Sequence, residues 1–366
     1  MKKILIFAPT SPTSGITQYI LNMLSAFNTD EIKFDILSFK NHRLKAWCDE
    51  NGTEYFEFNI SPYKQRKEYK AFLKNVFSRG YDVVYFNAST ISELQIFKSA
   101  KKYSNAKLIM HSHACAVESQ SKLIYTIFTY LHKLLRIFAN KYFYKKCACS
   151  EVASEWMYGK KGAQDVIFLS NAIDIDKFKF NNASREDLRQ SLGIKTKYVI
   201  GHVGRFAPPK NHSFILDAFK KLTETNDNCT LVLVGQGELE TTIKQKIKDL
   251  SLEEKVILVD FQEDIYKYYS LFDLFFMPSL FEAFPITLIE AQASGLVALV
   301  SDVVTKDSDI TGLLEFMSLD DGADKWATKM NSKLKKYDRL NYVKDFEEKG
   351  FSLQKQVKIL SKLFED

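Results

Sequence analysis

Short apolar runs recur along the chain, and most are followed by a polar loop and a stretch with helical periodicity. The first run, KILIFA at residues 3–8, leads into a loop rich in Pro, Ser, Thr and Gly at residues 9–15. In the next stretch, ITQYILNMLSAF, apolar residues recur at intervals of three and four and share one helical face. This order of strand, loop and helix predicts the opening of a Rossmann-like unit.

The alternation continues and then starts again in the second half of the chain. Further strands are predicted in the first half at residues 34–39, 81–87 and 106–113. A second series is predicted at residues 198–204, 229–235, 255–260, 273–279 and 296–302. Because strands that alternate with helices form parallel sheets covered on both faces, the pattern predicts an α/β fold with two doubly wound, Rossmann-like domains.

The boundary between the two series falls between about residues 170 and 197, around the polar stretch NNASREDLRQ. We therefore expect an N-terminal domain over residues 1–170 and a C-terminal domain over residues 171–349. The last segment, residues 350–366, has an amphipathic helical pattern. It is a candidate to pack back on the N-terminal domain, although the pattern alone fits either one.

The composition is that of a globular protein rather than a dedicated nucleic-acid binder. Hydrophobic residues make up 46% and charged residues 26% of the 366 positions, and the net charge is +6. No segment approaches the roughly 20 uninterrupted apolar residues of a membrane-spanning helix. The cysteines are scattered, and Cys147-Ala-Cys149 is too tight for a zinc half-site, so we expect reduced thiols in a cytoplasmic protein.

The stretch SLFEAFPITLIEAQASG, residues 279–295, places two carboxylates around a predicted helix. Pro285 suits the first helical position and Gly295 the C-terminal stop. The helix would begin at the carboxyl edge of a parallel sheet, where free N–H groups favour phosphate. Glu282 precedes the helix and Glu290 lies about 7.5 Å along it, so both suit sugar hydroxyls. The alternative is that Glu282 caps the helix and Glu290 is a solvated surface residue.

A second cluster lies where the C-terminal series begins, in GHVGRFAPPKNHSFIL. A predicted strand ends at Gly204, and Arg205 and Lys210 flank the loop that leads into the next helix. Two cations near a helix N-terminus can clamp a phosphate, Arg through its planar fork and Lys as a point charge. A single Arg or Lys is more often a solvated surface charge, but the combination with the two glutamates favours an anion site.

Together, GRFAPPKN, LVGQGEL and SLFEAFPITLIEAQASG resemble the retaining family 4 glycosyltransferases of the GT-B fold. The segments CSEVASEWMYG and LSNAIDIDKF are similar to that family's sequence before and at the domain crossover. The resemblance covers most of the chain and is strongest to bacterial enzymes of capsular and exopolysaccharide synthesis. It implies two Rossmann-like domains that face a cleft, with the acceptor bound by the first and the nucleotide sugar by the second.

The resemblance also implies a role for individual residues. Arg205 and Lys210 would hold the donor diphosphate. Glu290 would bind the nucleotide ribose, and Glu282 would contact the transferred sugar. The other residues implied at the donor site are Gly15, Gly204, Gly235, Gly237, Phe284 and Pro285.

The family's chemistry implies a UDP-sugar donor, a hexose or N-acetylhexosamine as the transferred group, and a lipid-linked glycan acceptor. It retains anomeric configuration without an established protein nucleophile. Asp174-Ile-Asp176 and Asp307-Ser-Asp309 match a D-x-D pattern but lie away from the expected metal position of other transferases. We therefore expect no cofactor and no essential metal.

Two histidines, His111 and His113, end a predicted strand of the N-terminal domain, where the family places a histidine near the sugar. Side chains two residues apart on a strand share a face, so one of the two is a candidate ligand contact. The sequence leaves open which one it is, and a structural hydrogen-bonding role is the alternative.

Three positions depart from the family pattern. Ala283 stands where a glycine is usual and would be strained at positive φ. Val297 replaces a proline after Gly295, and Gly15 is a single glycine where a pair is expected. These departures leave open a non-catalytic partner subunit, while a sugar-nucleotide epimerase is a second alternative. A Rossmann oxidoreductase is disfavoured because neither first-strand loop contains G-x-G-x-x-G.

Residues 121–146 form a basic, aromatic segment with no Asp or Glu. It reads either as a buried helix or as a helix that rests on the anionic inner face of the cell membrane. Its cations are Lys122, Lys133, Arg136, Lys141, Lys145 and Lys146. Residues 63–74 supply a second basic cluster, and a peripheral membrane location would bring the enzyme to a lipid-linked acceptor.

Overall fold

The computed structural model describes residues 1–28, 31–114, 116–117, 121–282, 284–335 and 338–365. It divides the chain into two compact units. The first contains Met1–Ala172 and Leu353–Asp366, and the second contains Ile173–Ser352. The chain thus passes from the first unit to the second and back, and the predicted boundary at residue 170 lies close to the first crossing.

The first unit is built on a parallel sheet of seven strands in the order β3-β2-β1-β4-β5-β6-β7. The strands are β1 (Lys2–Ala8), β2 (Ile32–Ser38), β3 (Tyr55–Glu57), β4 (Val83–Ala88), β5 (Lys107–Ser112), β6 (Lys145–Ala148) and β7 (Val166–Phe168). Its helices are α1 (Gly15–Ala26), α2 (His42–Glu50), α3 (Arg66–Phe77), α4 (Gln95–Tyr103), α5 (Lys122–Ala139), α6 (Glu151–Gly162) and α15 (Leu353–Glu365).

The interior strand β1 is buried on both faces, because helices cover both sides of the sheet. Leu5 and Phe7 belong to one apolar cluster, with residues of α3, α4 and α6. Ile4 and Ile6 point to the opposite cluster, with residues of α1 and α2. A parallel strand buried in this way reads as an unbroken apolar run, which is why KILIFA was recognisable.

Helix α15 packs on this second cluster of the first unit. Leu360, Leu363 and Phe364 are buried there, and the Phe364 ring stacks on Phe27 at 5.8 Å. The Lys2 ammonium also donates a hydrogen bond to the carbonyl oxygen of Phe364 at 2.8 Å. The final amphipathic segment therefore completes the core of the unit that contains β1.

The second unit contains a parallel sheet of six strands in the order β10-β9-β8-β11-β12-β13. The strands are β8 (Tyr198–Val203), β9 (Cys229–Val234), β10 (Val256–Val259), β11 (Leu274–Met277), β12 (Ala298–Ser301) and β13 (Leu314–Met317). Its helices are α7 (Ile175–Phe178), α8 (Asn182–Ser191), α9 (His212–Thr225), α10 (Glu240–Asp249), α11 (Ile265–Leu271), α12 (Ile286–Ala293), α13 (Gly322–Lys333) and α14 (Val343–Glu348).

Both sheets have the Rossmann strand order, so the predicted α/β fold class is confirmed. Each of the nine predicted strands overlaps an observed one, whereas β3, β6, β7 and β13 were not predicted. In such a sheet, ligands bind at the carboxyl ends of the two strands where the order reverses. These switch points lie between β1 and β4 in the first unit and between β8 and β11 in the second.

Within the described ranges, no helix combines the length and the apolar character that crossing a bilayer requires.

Candidate functional site

The switch point of the second unit lies beside two loops that the sequence singled out. The chain leaves β8 at Val203 and continues through Gly204 and Arg205, while it leaves β11 at Met277. Two hydrogen bonds join the loops that follow. The Asn211 side chain donates to the carbonyl oxygen of Pro278 at 3.1 Å, and the Leu280 N–H donates to that of Pro209 at 2.8 Å.

These loops bring two of the predicted site residues into direct contact. The Lys210 ammonium lies 2.5 Å from Oε1 of Glu282, and the Ser279 hydroxyl donates to the same oxygen at 2.9 Å. Both charged side chains are largely buried, with exposed fractions of 18% and 11%. A lysine and a glutamate held together at a switch point give this edge groups for both a phosphate and a hydroxyl.

The helix that follows is α12, and it begins one residue later than predicted. Pro285 is its N-cap, with φ −74° and an extended ψ of 116°, so the interpretation of Pro285 as the first helical residue is wrong. The predicted stop is confirmed, because Ser294 is the C-cap and Gly295 has a left-handed φ of +65°. Before the helix, Phe284 is buried and stacks on Phe351 at 5.5 Å.

Thr287, in the first turn of α12, was not singled out from the sequence. Its buried hydroxyl oxygen has no hydrogen-bond partner among the described residues. An unpartnered hydroxyl beside free N–H groups can donate to an oxygen of a bound anion. A threonine in the first turn of a predicted anion-binding helix is the signal that would have identified it.

Glu290 lies inside the second unit. It is 3% exposed, and the Tyr269 hydroxyl donates a hydrogen bond to its Oε2 at 2.7 Å. Burial raises the pKa of Glu290 from its ordinary value near 4.5 to about 7, and the bond from Tyr269 opposes this shift. The alternative interpretation of Glu290 as a solvated surface residue is therefore wrong.

The glycines after β9 have a packing role that is visible in the structure. A Cβ atom on Gly237 would lie 2.5 Å from the carbonyl oxygen of Phe206, and one on Gly235 would collide with the carbonyl oxygen of Gly204. The Phe206 N–H also donates to the Gln236 carbonyl oxygen at 3.0 Å. The loops after β8 and β9 therefore approach too closely for a side chain at either glycine.

A pair of buried histidines, His202 and His212, lies behind the Lys210 loop and was not predicted. Nδ1 of His202 is 2.8 Å from the Phe276 carbonyl oxygen, while its Nε2 and both ring nitrogens of His212 have no partner among the described residues. Burial lowers the pKa of both imidazoles, that of His212 to about 4. A Cβ on Gly204 would lie 3.0 Å from His202 Nε2, so this pair places neutral groups behind the loop that carries Lys210.

In the first unit, the two candidate histidines have different surroundings. His111 is fully buried, with Nδ1 2.6 Å from the Tyr85 hydroxyl and Nε2 3.2 Å from the Leu169 carbonyl oxygen. His113 keeps some exposed surface, and its Nε2 is 2.9 Å from Oδ1 of Asn87. Burial lowers the pKa of both, that of His113 to about 3. Of the two, His113 is the one with surface left for a ligand.

The sequence also singled out Gly15 and Ala283, and of these two Gly15 lies among the described residues. Gly15 begins α1, and a Cβ atom placed on it would meet open space within 4 Å. Its predicted place beside the donor and acceptor stays a prediction. Ala283, whose φ would decide whether the departure from glycine is strained, lies outside the described residues.

The basic segment is a helix only in part. Helix α5 ends at Ala139, and Lys145 and Lys146 lie on β6, so their assignment to a lipid-facing helix is wrong. Arg136 also points inward, because its guanidinium donates to the carbonyl oxygens of Glu155 and Trp156. Lys122, Lys133 and Lys141 remain exposed.

The outer face of α5 is apolar, which contradicts the alternative of a buried helix. Large side chains that are 40% or more exposed are Leu123, Ile124, Tyr125, Ile127, Phe128, Tyr130, Leu134, Ile137 and Phe138. Only His132 and Ala139 of this helix are buried. The described ranges contain no group of three or more His, Cys, Asp or Glu side chains arranged to hold a metal.

Comparison with known proteins agrees with this arrangement. Residues 184–349 match the family model of glycosyl transferases group 1. The chain is 36% identical over 185 residues to EpsF, a putative glycosyltransferase of Bacillus subtilis, covering 50% of this chain and 48% of that protein. It thus spans about half of the length of that relative.

A second relative is a galactosyltransferase of Escherichia coli named for UDP-Gal and α-D-GlcNAc-diphosphoundecaprenol, 25% identical over 304 residues and covering 79% of this chain and 76% of that protein. Among solved structures, Anabaena HepE in complex with UDP and glucose superposes with a TM-score of 0.82, at 17% identity and full coverage of both chains. That likeness establishes the fold. Residues 184–349 are thus similar to the glycosyl transferases group 1, and the chain has the GT-B fold.

Proposed function

We propose that the protein is a retaining glycosyltransferase that moves a hexose or an N-acetylhexosamine from a UDP-sugar to a lipid-linked glycan in cell-surface polysaccharide synthesis. The observation that carries this proposal is the contact between Lys210 and Glu282 at the switch point of the six-stranded sheet. The names of relatives support the donor and acceptor, because the E. coli enzyme is named for UDP-Gal and a diphosphoundecaprenol-linked sugar.

Transfer from a nucleotide sugar releases a diphosphate, so negative charge builds up on the leaving oxygens in the transition state. Lys210 and Arg205 would neutralise that charge, together with the free N–H groups at the start of α12. Binding of the diphosphate would draw the Lys210 ammonium toward phosphate. Glu282 would then accept a hydrogen bond from a sugar hydroxyl, so both residues exchange one partner for another.

Glu290 would bind the ribose of the donor. Tyr269 already donates to Oε2, and the proposal assigns Oε1 to a ribose hydroxyl. A bound hydroxyl donor favours the carboxylate form and would lower the pKa of Glu290 from about 7. The leaving phosphate oxygen would take the acceptor proton, so no protein side chain is needed as the base.

We propose that transfer needs no metal ion, because two cationic side chains and a helix N-terminus supply the positive charge. The test is activity in buffer containing EDTA, compared with buffer containing Mg²⁺ or Mn²⁺. Equal rates are expected, and a loss of activity in EDTA that either metal restores would contradict the proposal.

The decisive experiment is ligand binding followed by transfer. UDP at 100 times its dissociation constant should raise the free energy of unfolding by about 2.7 kcal/mol, and GDP, ADP and NAD serve as comparisons. Transfer is then measured with UDP-glucose, UDP-galactose and their N-acetyl forms, on a prenyl-diphosphate-linked sugar. The anomeric configuration of the product, read by NMR, tests retention.

Three results would contradict the proposal. Epimerisation of the donor without acceptor would indicate an epimerase. UDP binding without transfer to any acceptor would indicate a non-catalytic partner, and stabilisation by NAD alone would exclude a transferase.

We further propose a peripheral position on the cytoplasmic face of the membrane, through α5. Its outer face combines exposed apolar side chains with Lys122 and Lys133, and Lys141 follows the helix. The exposed cations of residues 63–74 lie in the same unit. Co-sedimentation with phosphatidylglycerol vesicles at low salt, and not with phosphatidylcholine vesicles, is the expected result. Failure to bind the anionic vesicles would contradict it.

A further inference from the structure

A cavity of about 560 Å³ lies in the first unit at the carboxyl edge of the seven-stranded sheet. Phe7 and Ala88, at the ends of β1 and β4, line it, so it sits at the switch point of that sheet. The chain after β3 lines it on one side, and the loop after β4, together with α4, lines it on another. Its position and its volume, within the range of about 300–1,000 Å³, are those of a ligand site.

The lining of this cavity fits hydrocarbon rather than a charged group. Most lining residues are apolar or aromatic, including Phe7, Phe58, Ile60, Ile91, Phe97 and Met110. None of the described lining residues is Lys, Arg or His. The cavity therefore lacks a cation to bind a phosphate. Contact between its apolar wall and a hydrocarbon chain would remove apolar surface from water and so favour binding.

The carboxylate in the lining, that of Glu93, already accepts hydrogen bonds from neighbouring residues. It accepts a hydrogen bond from the Tyr69 hydroxyl at 2.7 Å and from the Ile96 N–H at 3.2 Å, and so caps the start of α4. A negative group in this wall disfavours the headgroup of a phospholipid or prenyl diphosphate inside the cavity. The tail of such a molecule is the part that fits.

The cavity is joined to the exposed face of α5. Phe128, 42% exposed on that helix, is itself a lining residue. The loop after β4 is fastened to α5 and α6, because the Ile91 N–H donates to Nδ1 of His132 at 2.9 Å and the Trp156 indole N–H donates to the Ser89 carbonyl oxygen at 2.8 Å. The helix proposed to rest on lipid thus also holds one wall of an apolar cavity.

We propose that this cavity takes up the first part of the prenyl chain of the lipid-linked acceptor. The chain would pass from the bilayer along Phe128 and lie between Phe7 and Phe58. This inference rests on the proposed function for the identity of the occupant. It adds that the enzyme recognises the lipid itself, and not only the sugar that receives the transferred group.

The test uses the full chain and farnesyl phosphate with a photoreactive diazirine near the end of its hydrocarbon. After irradiation without vesicles and without donor, labelled peptides are mapped by mass spectrometry. Labels are expected in residues 58–63, in residues 88–97 and on Phe128. Thr90→Trp, which fills the cavity from a half-buried lining position, should reduce labelling about tenfold or more.

Two further variants make the result specific. Ser78→Trp adds the same ring at an exposed position at the end of α3, outside the cavity, and should label like the wild type. Ile60→Glu places a carboxylate in the lining and should also reduce labelling, which guards against misfolding of a single variant. Circular dichroism and melting temperature confirm that each variant is folded.

Three outcomes would overturn the inference. The first is labelling of the Thr90→Trp variant at the wild-type level. The second is competition by a water-soluble glycan, but not by unlabelled farnesyl phosphate, which would make the cavity a sugar site. The third is equal competition by dioleoyl phosphatidylglycerol, which would assign the cavity to bulk lipid.

The failure of this inference can be told apart from the failure of the proposed function. Labelling needs no donor, so a protein that captures the probe but transfers no sugar contradicts the function alone. A protein that transfers sugar to prenyl-linked and water-soluble acceptors with equal KM, and does not capture the probe, contradicts this inference alone.

Discussion

The switch point of the six-stranded sheet presents a lysine and a glutamate in contact, with a buried carboxylate along the next helix. At the same topological position in the seven-stranded sheet, the side chains are mostly aromatic and aliphatic and enclose a cavity. The strand order is shared, so the backbone determines where a ligand can bind. The side chains then determine whether that edge suits a charged group or an apolar one.

Buried polar groups near the two edges differ in whether they have hydrogen-bond partners. In the first unit, Tyr19, Tyr85 and His111 form a chain of hydrogen bonds, from hydroxyl to hydroxyl at 2.9 Å and on to the imidazole at 2.6 Å. In the second, nitrogens of His202 and His212 and the hydroxyl of Thr287 have no partner among the described residues. Satisfied groups stabilise a fold, whereas unsatisfied buried groups next to a candidate anion site suggest that a ligand or water completes them.

Removal of the cation at the six-stranded sheet should have the largest effect. Lys210→Ala leaves the Glu282 carboxylate without its ammonium and removes a charge from the proposed diphosphate site. We expect kcat to fall about 10²–10³-fold, as for loss of one preorganised group that stabilises transition-state charge. Steady-state rates with a UDP-sugar and the stabilisation by UDP measure it.

The matched control for this prediction is Lys246→Ala, which breaks the ion pair of Lys246 with Asp217 at 2.6 Å in the same unit. A more exposed pair of this kind contributes about 1 kcal/mol or less, and transfer should be unchanged. If both variants lost activity equally, the comparison between charged and apolar edges would fail.

The next largest effect is the pH dependence that Glu290 contributes to the free energy of unfolding. Because its pKa is raised to about 7, the folded state binds a proton between pH 4.5 and 7 that the unfolded state has lost. Stability from this group is therefore full below about pH 4.5 and is lost as the pH rises through 7. Relative to that of Glu290→Gln, the free energy of unfolding of the wild type should fall by about 2–3 kcal/mol between pH 4.5 and pH 8.

Urea unfolding of both proteins at several pH values measures this difference. Saturating UDP-sugar sharpens the result, because a ribose hydroxyl bonded to the carboxylate should shift the wild-type transition to lower pH. The free energy of unfolding could instead vary with pH in the same way for both proteins. Glu290 would then have the same charge in the folded and unfolded states, which would contradict the prediction.

A smaller effect, on membrane binding, is expected at the exposed apolar face of α5 in the first unit. Leu134→Glu, combined with Ile137→Glu, places two charges on the exposed face of α5. Binding to phosphatidylglycerol vesicles should fall about 10–100-fold, because apolar contact is lost and anionic lipid repels the new charges. Transfer to a water-soluble acceptor should not change, and equal vesicle binding by both proteins would contradict the role of α5.

The smallest effects distinguish two glycines. Gly237→Ala should cost about 1–3 kcal/mol, because its Cβ would lie 2.5 Å from a backbone oxygen of Phe206. Gly15→Ala meets open space at the start of α1 and should stabilise by up to about 1 kcal/mol. Thermal unfolding compares them. A rise in the KM of donor or acceptor for Gly15→Ala would support its predicted place beside the ligands.

The sequence identified most strands, because parallel strands buried on both faces are unbroken apolar runs. The strands it missed are short, and all of them except β7 carry charge. Strand β6 begins with Lys145 and Lys146, which read as a continuation of the basic helix before it. The Lys146 ammonium in fact donates to the Gly162 carbonyl oxygen at 2.9 Å, a tertiary contact that periodicity does not report.

The site was predictable as far as its motifs reach. The motifs singled out Lys210, Glu282 and Glu290, but the contact between the first two depends on hydrogen bonds between loops about seventy residues apart. The burial of Glu290 was missed because the helical pattern of ITLIEAQAS does not show that every face of α12 is covered. His202 and His212 belong to no motif, and only their position beside the predicted phosphate loop could have drawn attention to them.

The return of α15 to the first unit sets an order of assembly. During synthesis, strands β1 to β7 and then the whole second unit leave the ribosome before residues 353–365 are made. Until then, Phe27 and Phe34 lack the cover of Phe364. The unit that is translated first is therefore completed last, and a nascent chain without this helix would be a substrate for chaperones through its N-terminal half.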